Sequence, residues 1–387
     1  MDFSLNDTQR ELMRSVRSIG ERHFAAEEHR WETDSGYAST ALKKLGDEGL
    51  LGLSLDLKYG GTGLSALDSA LCIEEMGKIS PQASTLMAAA SIGQAYYIQF
   101  FADGDMSQRL LPSICRGDST VSIAISEPGA GTAATGMSTR AEIRGDKIIL
   151  NGRKHYVSGA AQASVFIVYA RMSDAKGAGA IGAVLVPRDA SGFSIDRLSK
   201  NMGGSLQADL VFDDCEVPLD HLLAGPGAFA KLTHCYNLER IGGAAGMLGI
   251  ATGAYERALG YVKERQQFGK PLVEFQAVQL KIADMAIQLE AARLMVYRAL
   301  VRTEDGMPTA FDASTTKVFV NDVARKVTDD AIQLFGGAGY LVETGIERLY
   351  RYVRGYSIAG GPLDIHRVMI AGWVADRQFS QWARKES

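Results

Sequence analysis

The chain has 387 residues, 46% of them hydrophobic, with a formal net charge of −4, enough for two or three domains with buried cores. Its Lys and Arg residues are scattered, so the basic stripe that a nucleic-acid backbone demands is excluded, and no apolar run approaches the length of a membrane span. Cys72, Cys115, Cys215 and Cys235 lie far apart with no CxxC pair, which favours reduced thiols in a cytoplasmic setting over a disulfide framework or a zinc site.

The start, Met1–Leu5, lacks the basic and apolar regions of a signal peptide and the arginines of a transit segment. From Asn6 to about Arg116 the pattern is helical. Leu5, Leu12, Val16 and Ile19 recur at three- and four-residue steps after an N-cap at Asn6 or Asp7. Helices are predicted over Ala41–Glu48 and Ser65–Gly77, with Tyr59-Gly60-Gly61-Thr62-Gly63 as a loop between them.

At Ser119 the character changes. Val121–Ser126, Arg140–Ile143, Lys147–Leu150, Val165–Arg171, Gly182–Pro187 and Asp209–Phe212 are short, β-branched or alternating, which predicts a small antiparallel barrel or sandwich. Gly145-Asp146 reads as a hairpin turn and Asn151-Gly152 as another. After Pro218 helical periodicity returns, with helices predicted over Phe229–Tyr261, Phe275–Arg302, Ala310–Leu334 and Pro362–Arg377. Long helices with short connections argue for a four-helix bundle. The fold class is α+β in three domains: helical (1–118), β (119–227) and a helical bundle (228–387).

Four stretches carry possible chemistry, each with a plain structural reading beside it. Ile125-Ser126-Glu127-Pro128-Gly129 ends a strand in a glycine turn, which is an ordinary loop or a close approach to a cofactor. Tyr156 and Ser158, two residues apart on a strand, share a face and could line a pocket, or simply be an exposed hairpin. Arg265, in Arg265-Gln266-Gln267-Phe268-Gly269, has the planar fork that grips a pyrophosphate, or is a cation at a helix C-terminus. Gln333-Leu334-Phe335-Gly336-Gly337-Ala338-Gly339 holds more glycine than a helix cap needs.

The order and spacing of these four stretches resemble those of acyl-CoA dehydrogenases, from Met1 to about residue 375. The resemblance implies bound FAD and a homotetramer. It implies that Ile125, Ser126, Tyr156 and Ser158 surround the flavin, with Ser158 near the N5 atom that receives hydride. Arg265, Gln267 and Phe268 would hold the FAD of one subunit, and Gln276, Gln333, Gly336 and Gly337 would complete a site shared between subunits. Thr132, Asn237, Arg240 and Gly361 would lie on the acyl-CoA side of the cleft.

Gly360 follows Gln333 by 27 residues, the interval at which most of the family carries its catalytic glutamate. Glycine cannot take a proton, although its backbone N–H can meet the thioester carbonyl. The chain is similar to the isovaleryl-CoA and long-chain branch, where the base instead precedes an arginine and a small-residue stretch. Here that stretch is Glu239-Arg240-Ile241-Gly242-Gly243-Ala244-Ala245. A helical glutamate is usually a solvated surface charge, but small apolar followers imply close packing, so Glu239 is the expected base. Residues 361–364, Gly-Pro-Leu-Asp, depart from the usual Gly-Thr start and acidic or amide end. Residues 201–209 also lack the customary arginine and threonine.

The expected activity is FAD-dependent α,β-desaturation of an acyl thioester, with a branched or bulky acyl group favoured by the small Gly360 and electrons leaving to an electron-transfer flavoprotein. The thioester is CoA or a carrier-protein arm. Two other classes stay open: a flavin monooxygenase or desulfinase on the same fold, and a non-catalytic subunit of a heteromer.

Overall fold

Asn6 starts the first helix through a reciprocal capping box: its side chain accepts from the Gln9 N–H while the Gln9 side chain accepts from the Asn6 N–H, an arrangement worth about 1 kcal/mol. In the computed structural model, which describes residues 4–34, 36–377 and 379, α1 runs Asp7–His23. It buries Val16 and packs Leu5, Leu12 and Ile19 against the core. Met1–Phe3 lie outside the described residues.

Six helices follow: α2 (Arg30–Thr33), α3 (Tyr37–Asp47), α4 (Ala66–Gly77), α5 (Pro81–Ser91), α6 (Gln94–Phe101) and α7 (Gly104–Cys115). Ser65 caps α4 through its side chain, and the Tyr59–Gly63 stretch is a loop turning at Gly60, φ 83. The sequence reading did not delimit α5, α6 and α7; in α5 and α6 the residues are apolar or small on several faces and show little amphipathic contrast.

The β domain comprises β1 (Val121–Ala124), β2 (Arg140–Arg144), β3 (Lys147–Ser158), β4 (Val165–Arg171), β5 (Ile181–Pro187), β6 (Phe193–Lys200), β7 (Leu206–Pro218) and β8 (Leu222–Ala224). Their order is β6-β7-β3-β2-β4-β5-β8, with β1 beside β4. The two halves meet in the sheet at one pair, Arg140–Arg171, and enclose Ile148, Leu150, Phe166, Val168, Val184, Leu210 and Phe212. The expected antiparallel pairing holds except at β4, which pairs in parallel with β1 and β2. The Gly145-Asp146 turn joins β2 to β3 as predicted. Asn151-Gly152 is no turn: it lies within β3, where the register slips between Leu150 and Gly152 and Gly152 takes φ 147, a bulge.

The C-terminal domain contains α8 (Phe229–Glu264), a short hairpin of β9 (Gln266–Gln267) and β10 (Lys270–Pro271), then α9 (Gln276–Val301). A second hairpin, β11 (Thr303–Glu304) and β12 (Met307–Pro308), leads to α10 (Ala310–Phe335), α11 (Ile346–Tyr356) and α12 (Leu363–Val374). The sequence reading missed α11, so this domain holds five helices among the described residues where four were predicted. Ile346, Leu349 and Val353 are its buried stripe, but it is dense in charge and follows a glycine cluster. Glu32 ties the three domains: it pairs with Arg351 at 2.7 Å and Arg348 at 3.4 Å, and its carbonyl accepts from Lys200 Nζ at 2.7 Å.

Candidate functional site

The first third of α8 runs through the junction of all three domains. The small residues after Glu239 are there because partners press against the helix: a Cβ on Gly243 would sit 1.4 Å from the Tyr356 hydroxyl. Close packing withdraws Glu239 from water. Its Oε1 accepts from Gln94 Nε2, at the start of α6, at 3.0 Å, while Oε2 is buried with no hydrogen-bond partner. Burial pushes the carboxyl up to about 7, with Arg240, Lys317 and the Tyr236 hydroxyl offsetting part of the effect.

Arg240, the next residue, points elsewhere, as successive helical side chains must. Its Nη1 donates to Asn237 Oδ1 at 2.7 Å and its Nε to the Gly360 carbonyl at 3.3 Å, and its guanidinium lies 4.9 Å from the Tyr236 ring centroid. Asn237 is buried, and its Nδ2 donates to the Pro308 carbonyl at 3.3 Å. The amide therefore braces Arg240 against the β11–β12 hairpin.

Two groups that the sequence reading did not single out complete the cluster. Lys317 of α10 is 0% exposed; its Nζ donates to the Ala359 carbonyl and lies 5.0 Å from the Tyr356 ring centroid. Burial brings its pKa down to about 7, with Arg240 adding and Glu239 opposing. His366 of α12, 1% exposed, meets the Gly360 carbonyl through Nε2 at 3.3 Å and Ser314 Oγ through Nδ1 at 3.0 Å. A carbonyl only accepts, so Nε2 carries the proton and Nδ1 accepts from the serine. Burial, with Arg240 and Lys317 adding, holds His366 down at about 3. A lysine inside a helical pattern reads as a surface charge, and the only local signal here was its small neighbours Ser314, Thr315 and Thr316.

Gly360 and Gly361 form the turn between α11 and α12, with φ 67 and 93. A Cβ at Gly360 would lie 2.9 Å from Lys317 Nζ and 3.7 Å from the Tyr236 hydroxyl, so a side chain at this position is opposed by both backbone and neighbours.

The remaining predicted residues fall into two groups. At the edge of the β domain, Ile125 and Ser126 continue from β1 and are fixed to β3: Lys154 Nζ donates to the Ile125 carbonyl at 2.9 Å and the His155 N–H to the Ser126 carbonyl at 2.8 Å. Beneath them Lys154 pairs with Glu127 at 2.8 Å, both buried. Tyr156, at φ 58 and 70% exposed, and Ser158 are open to solvent on either side of buried Val157. Gln207 Nε2 donates to Ser158 Oγ at 3.4 Å. Thr132 lies exposed in the loop after β1, and no hydrogen bond joins it to the Glu239 cluster among the described residues.

The second group lies at the far end of the bundle. Arg265 ends α8 and is exposed, with no ion pair among the described residues. Phe268 is 93% exposed at φ 51, its ring edge-on to Phe275 at 6.2 Å. Gln267, Gln276 and Gln333 are exposed. Stacking of Tyr261 on Phe335 at 4.4 Å draws this hairpin toward Gly336 and Gly337, whose Cα atoms face open space. A free guanidinium, three side-chain amides, bare glycine backbone and an uncovered aromatic ring are the donor set for a pyrophosphate carrying planar rings. Within one chain this group makes no hydrogen bond to the β-domain edge among the described residues.

Models of the N-terminal, middle and C-terminal domains of acyl-CoA dehydrogenase match residues 6–118, 122–215 and 229–375. The chain is 37% identical to a 3-sulfinopropanoyl-CoA desulfinase of Paraburkholderia xenovorans over 98% of its own length and 99% of that protein's. Butyryl-CoA dehydrogenase from Megasphaera elsdenii superposes with a TM-score of 0.90 at 32% identity, over 97% of this chain and 100% of that one. An FAD complex of PigA superposes with a TM-score of 0.90 at 28% identity, over 97% and 99%.

Proposed function

The chain belongs to the acyl-CoA dehydrogenase family, whose members are FAD-dependent oxidoreductases, and we propose that it desaturates an acyl-CoA between the α and β carbons with Glu239 as the base. The observation that carries this reading is Glu239 itself: a carboxyl whose Oε2 is enclosed by its neighbours and whose pKa burial pushes up to about 7. A thioester α-proton needs such a positioned base. Gly360 and Gly361 would receive the developing enolate oxygen on backbone N–H groups, Arg240 fixes the Gly360 carbonyl, and Asn237 holds Arg240.

The residues present fit FAD, which when bound supplies the acceptor for the β-hydride. Ile125, Ser126, Tyr156 and Ser158 would line the flavin. Arg265, Gln267, Phe268, Gln276, Gln333, Gly336 and Gly337 would hold the rest from a neighbouring subunit. Thr132 would lie on the CoA side. Leu280, Ile287 and Leu294 form a heptad row on α9, with Leu280 and Ile287 62% and 67% exposed; we read it as the contact that builds a homotetramer. Four buried thiols support work in the cytoplasm, with electrons passing to an electron-transfer flavoprotein. Among the described residues no helix is long and apolar enough to cross a membrane.

A second reading follows from the relative's name: removal of a sulfinate group from a 3-sulfinopropanoyl thioester, leaving propanoyl-CoA and sulfite after addition of water. Anaerobic mixing with straight, branched and carrier-bound acyl thioesters and with 3-sulfinopropanoyl-CoA separates the two. Bleaching of the flavin without sulfite supports dehydrogenation; sulfite without lasting bleaching supports desulfination; neither reaction leaves a silent subunit as the better account.

A further inference from the structure

We propose that Lys317, together with Arg240 and His366, is a positioning residue that turns the peptide groups of the Gly360–Gly361 loop so that two backbone N–H groups form the receptor for the thioester enolate oxygen. This rests on the proposed use of that loop, and goes beyond it by naming what gives the loop its orientation.

The argument begins with the peptide plane. In a trans peptide the C=O of one residue and the N–H of the next point in opposite directions. Lys317 Nζ takes the Ala359 carbonyl, so the Gly360 N–H faces away from the cluster. Arg240 Nε and His366 Nε2 both take the Gly360 carbonyl at 3.3 Å, so the Gly361 N–H also faces away. Neither N–H is given to a protein acceptor among the described residues. Two successive glycine N–H groups at positive φ make a concave donor pair of the kind that holds anionic oxygen.

Two isolated glycines would not keep this arrangement, since glycine is the residue with the most backbone freedom. Donors from three different helices, Lys317 and His366 fully buried and Arg240 partly so, remove that freedom. The groups facing Lys317 are Glu239, Arg240 and His366, with the Tyr236 hydroxyl and the Tyr356 ring at the rim. His366 is neutral, and Ser314 fixes its tautomer so that the proton is on the nitrogen facing Gly360. Preorganised donors of this type act because they need not rearrange as charge develops.

The test uses the FAD-loaded enzyme and a 3-oxoacyl-CoA, which forms an enolate without being oxidised, and reads enolate absorbance against pH. Wild type is expected to lower the pKa of the bound thioester relative to free solution. Lys317→Met should raise it by at least one unit, a tenfold loss, with FAD content unchanged. Ser314→Ala leaves every charge in place but releases the His366 tautomer, and should cost about threefold. Glu239→Gln, which removes the base but not the receptor, should keep most of the wild-type shift.

These readouts separate the receptor from the base. If no acyl-CoA bleaches the flavin yet the enolate shift persists in wild type and falls in both variants, the dehydrogenase reading fails and the positioning role stands. A wild-type value in Lys317→Met overturns the proposal. So does a shift in Lys317→Met with none in Ser314→Ala, because charge alone would then explain it. Should Lys317→Met fail to retain FAD, Ser314→Ala carries the test, and an unchanged value there overturns the proposal.

Discussion

Gln94 donates to Glu239 at 3.0 Å across a sequence separation of 145 residues, so the first residue of α6 in the helical domain sets the orientation of the bundle's buried acid. The hydrogen bond favours the carboxylate. Replacing Gln94 with Leu should raise the Glu239 pKa by about one unit, the equivalent of a hydrogen bond to a charged group. Flavin bleaching at pH 7 should then fall about fivefold and recover near pH 9, and a pH series of single-turnover rates would show the displacement. An unshifted profile would mean that the bond does not tune the base.

Glu239→Gln should slow flavin bleaching by roughly 10²–10⁴-fold, the usual worth of a general base. Its stability should change with a definite sign. The folded carboxyl titrates at about 7, above the ordinary value near 4.3. The folded state therefore binds more protons between those values, and wild type loses stability as pH rises through that window. The glutamine variant carries no such penalty, so its Tm should match wild type near pH 4.5 and exceed it at pH 8.

Gly360→Ala should cost about 1–2 kcal/mol through its left-handed backbone, with further displacement of Lys317, whose Nζ would lie 2.9 Å from the new Cβ. Denaturant unfolding measures the first effect. Loss of flavin bleaching beyond any loss of FAD measures the second.

In the β domain, Glu127→Gln should destabilise by about 3–5 kcal/mol, since it leaves Lys154 buried without its partner. Burial opposes the Glu127 charge, but Lys154 and the groups of Thr139 and Ser138 outweigh it and hold the carboxyl at about 2. Its stabilisation is therefore present above the ordinary carboxylate range and is lost as pH falls from about 4.3 toward 2. Acid unfolding followed against pH checks this: the low-pH slope of wild type should be absent in Glu127→Gln, and an unchanged slope in the variant would not fit.

Ile287→Asp places a charge in the middle of the exposed α9 row. If that row joins copies of the chain, the variant should dissociate and lose FAD together, because Arg265 and Phe268 would no longer reach a neighbouring flavin. Sedimentation and FAD absorbance read both. A variant that dissociates but keeps FAD would place the whole cofactor site within one chain.

Much of this was legible in the sequence because it is local. The Asn6 cap, the Ser65 start of α4, the Gly145-Asp146 turn and the limits of β4 each depend on a few neighbouring residues. Glu239 was singled out by the resemblance to the isovaleryl-CoA and long-chain branch, with its small followers, Gly242 to Ala245, adding that a partner presses against that helix. Asn151-Gly152 misled because a glycine bulge inside a long strand has the same local signature as a turn. The α11 helix was hidden by its charge, since its arginines serve contacts such as Glu32 that are distant in sequence.

The sequence by itself determined the order of helical, β and helical domains, the absence of a side chain at residue 360 and the presence of an acid at residue 239. Tertiary structure alone decided the environments of those two positions. It buried Lys317 and His366 around the Ala359 and Gly360 carbonyls, turned Asn237 inward to brace Arg240, and brought Gln94 to Glu239. Periodicity reports which face of a helix avoids water, whereas protonation and hydrogen-bond direction are set by groups from other elements that arrive only when the domains pack.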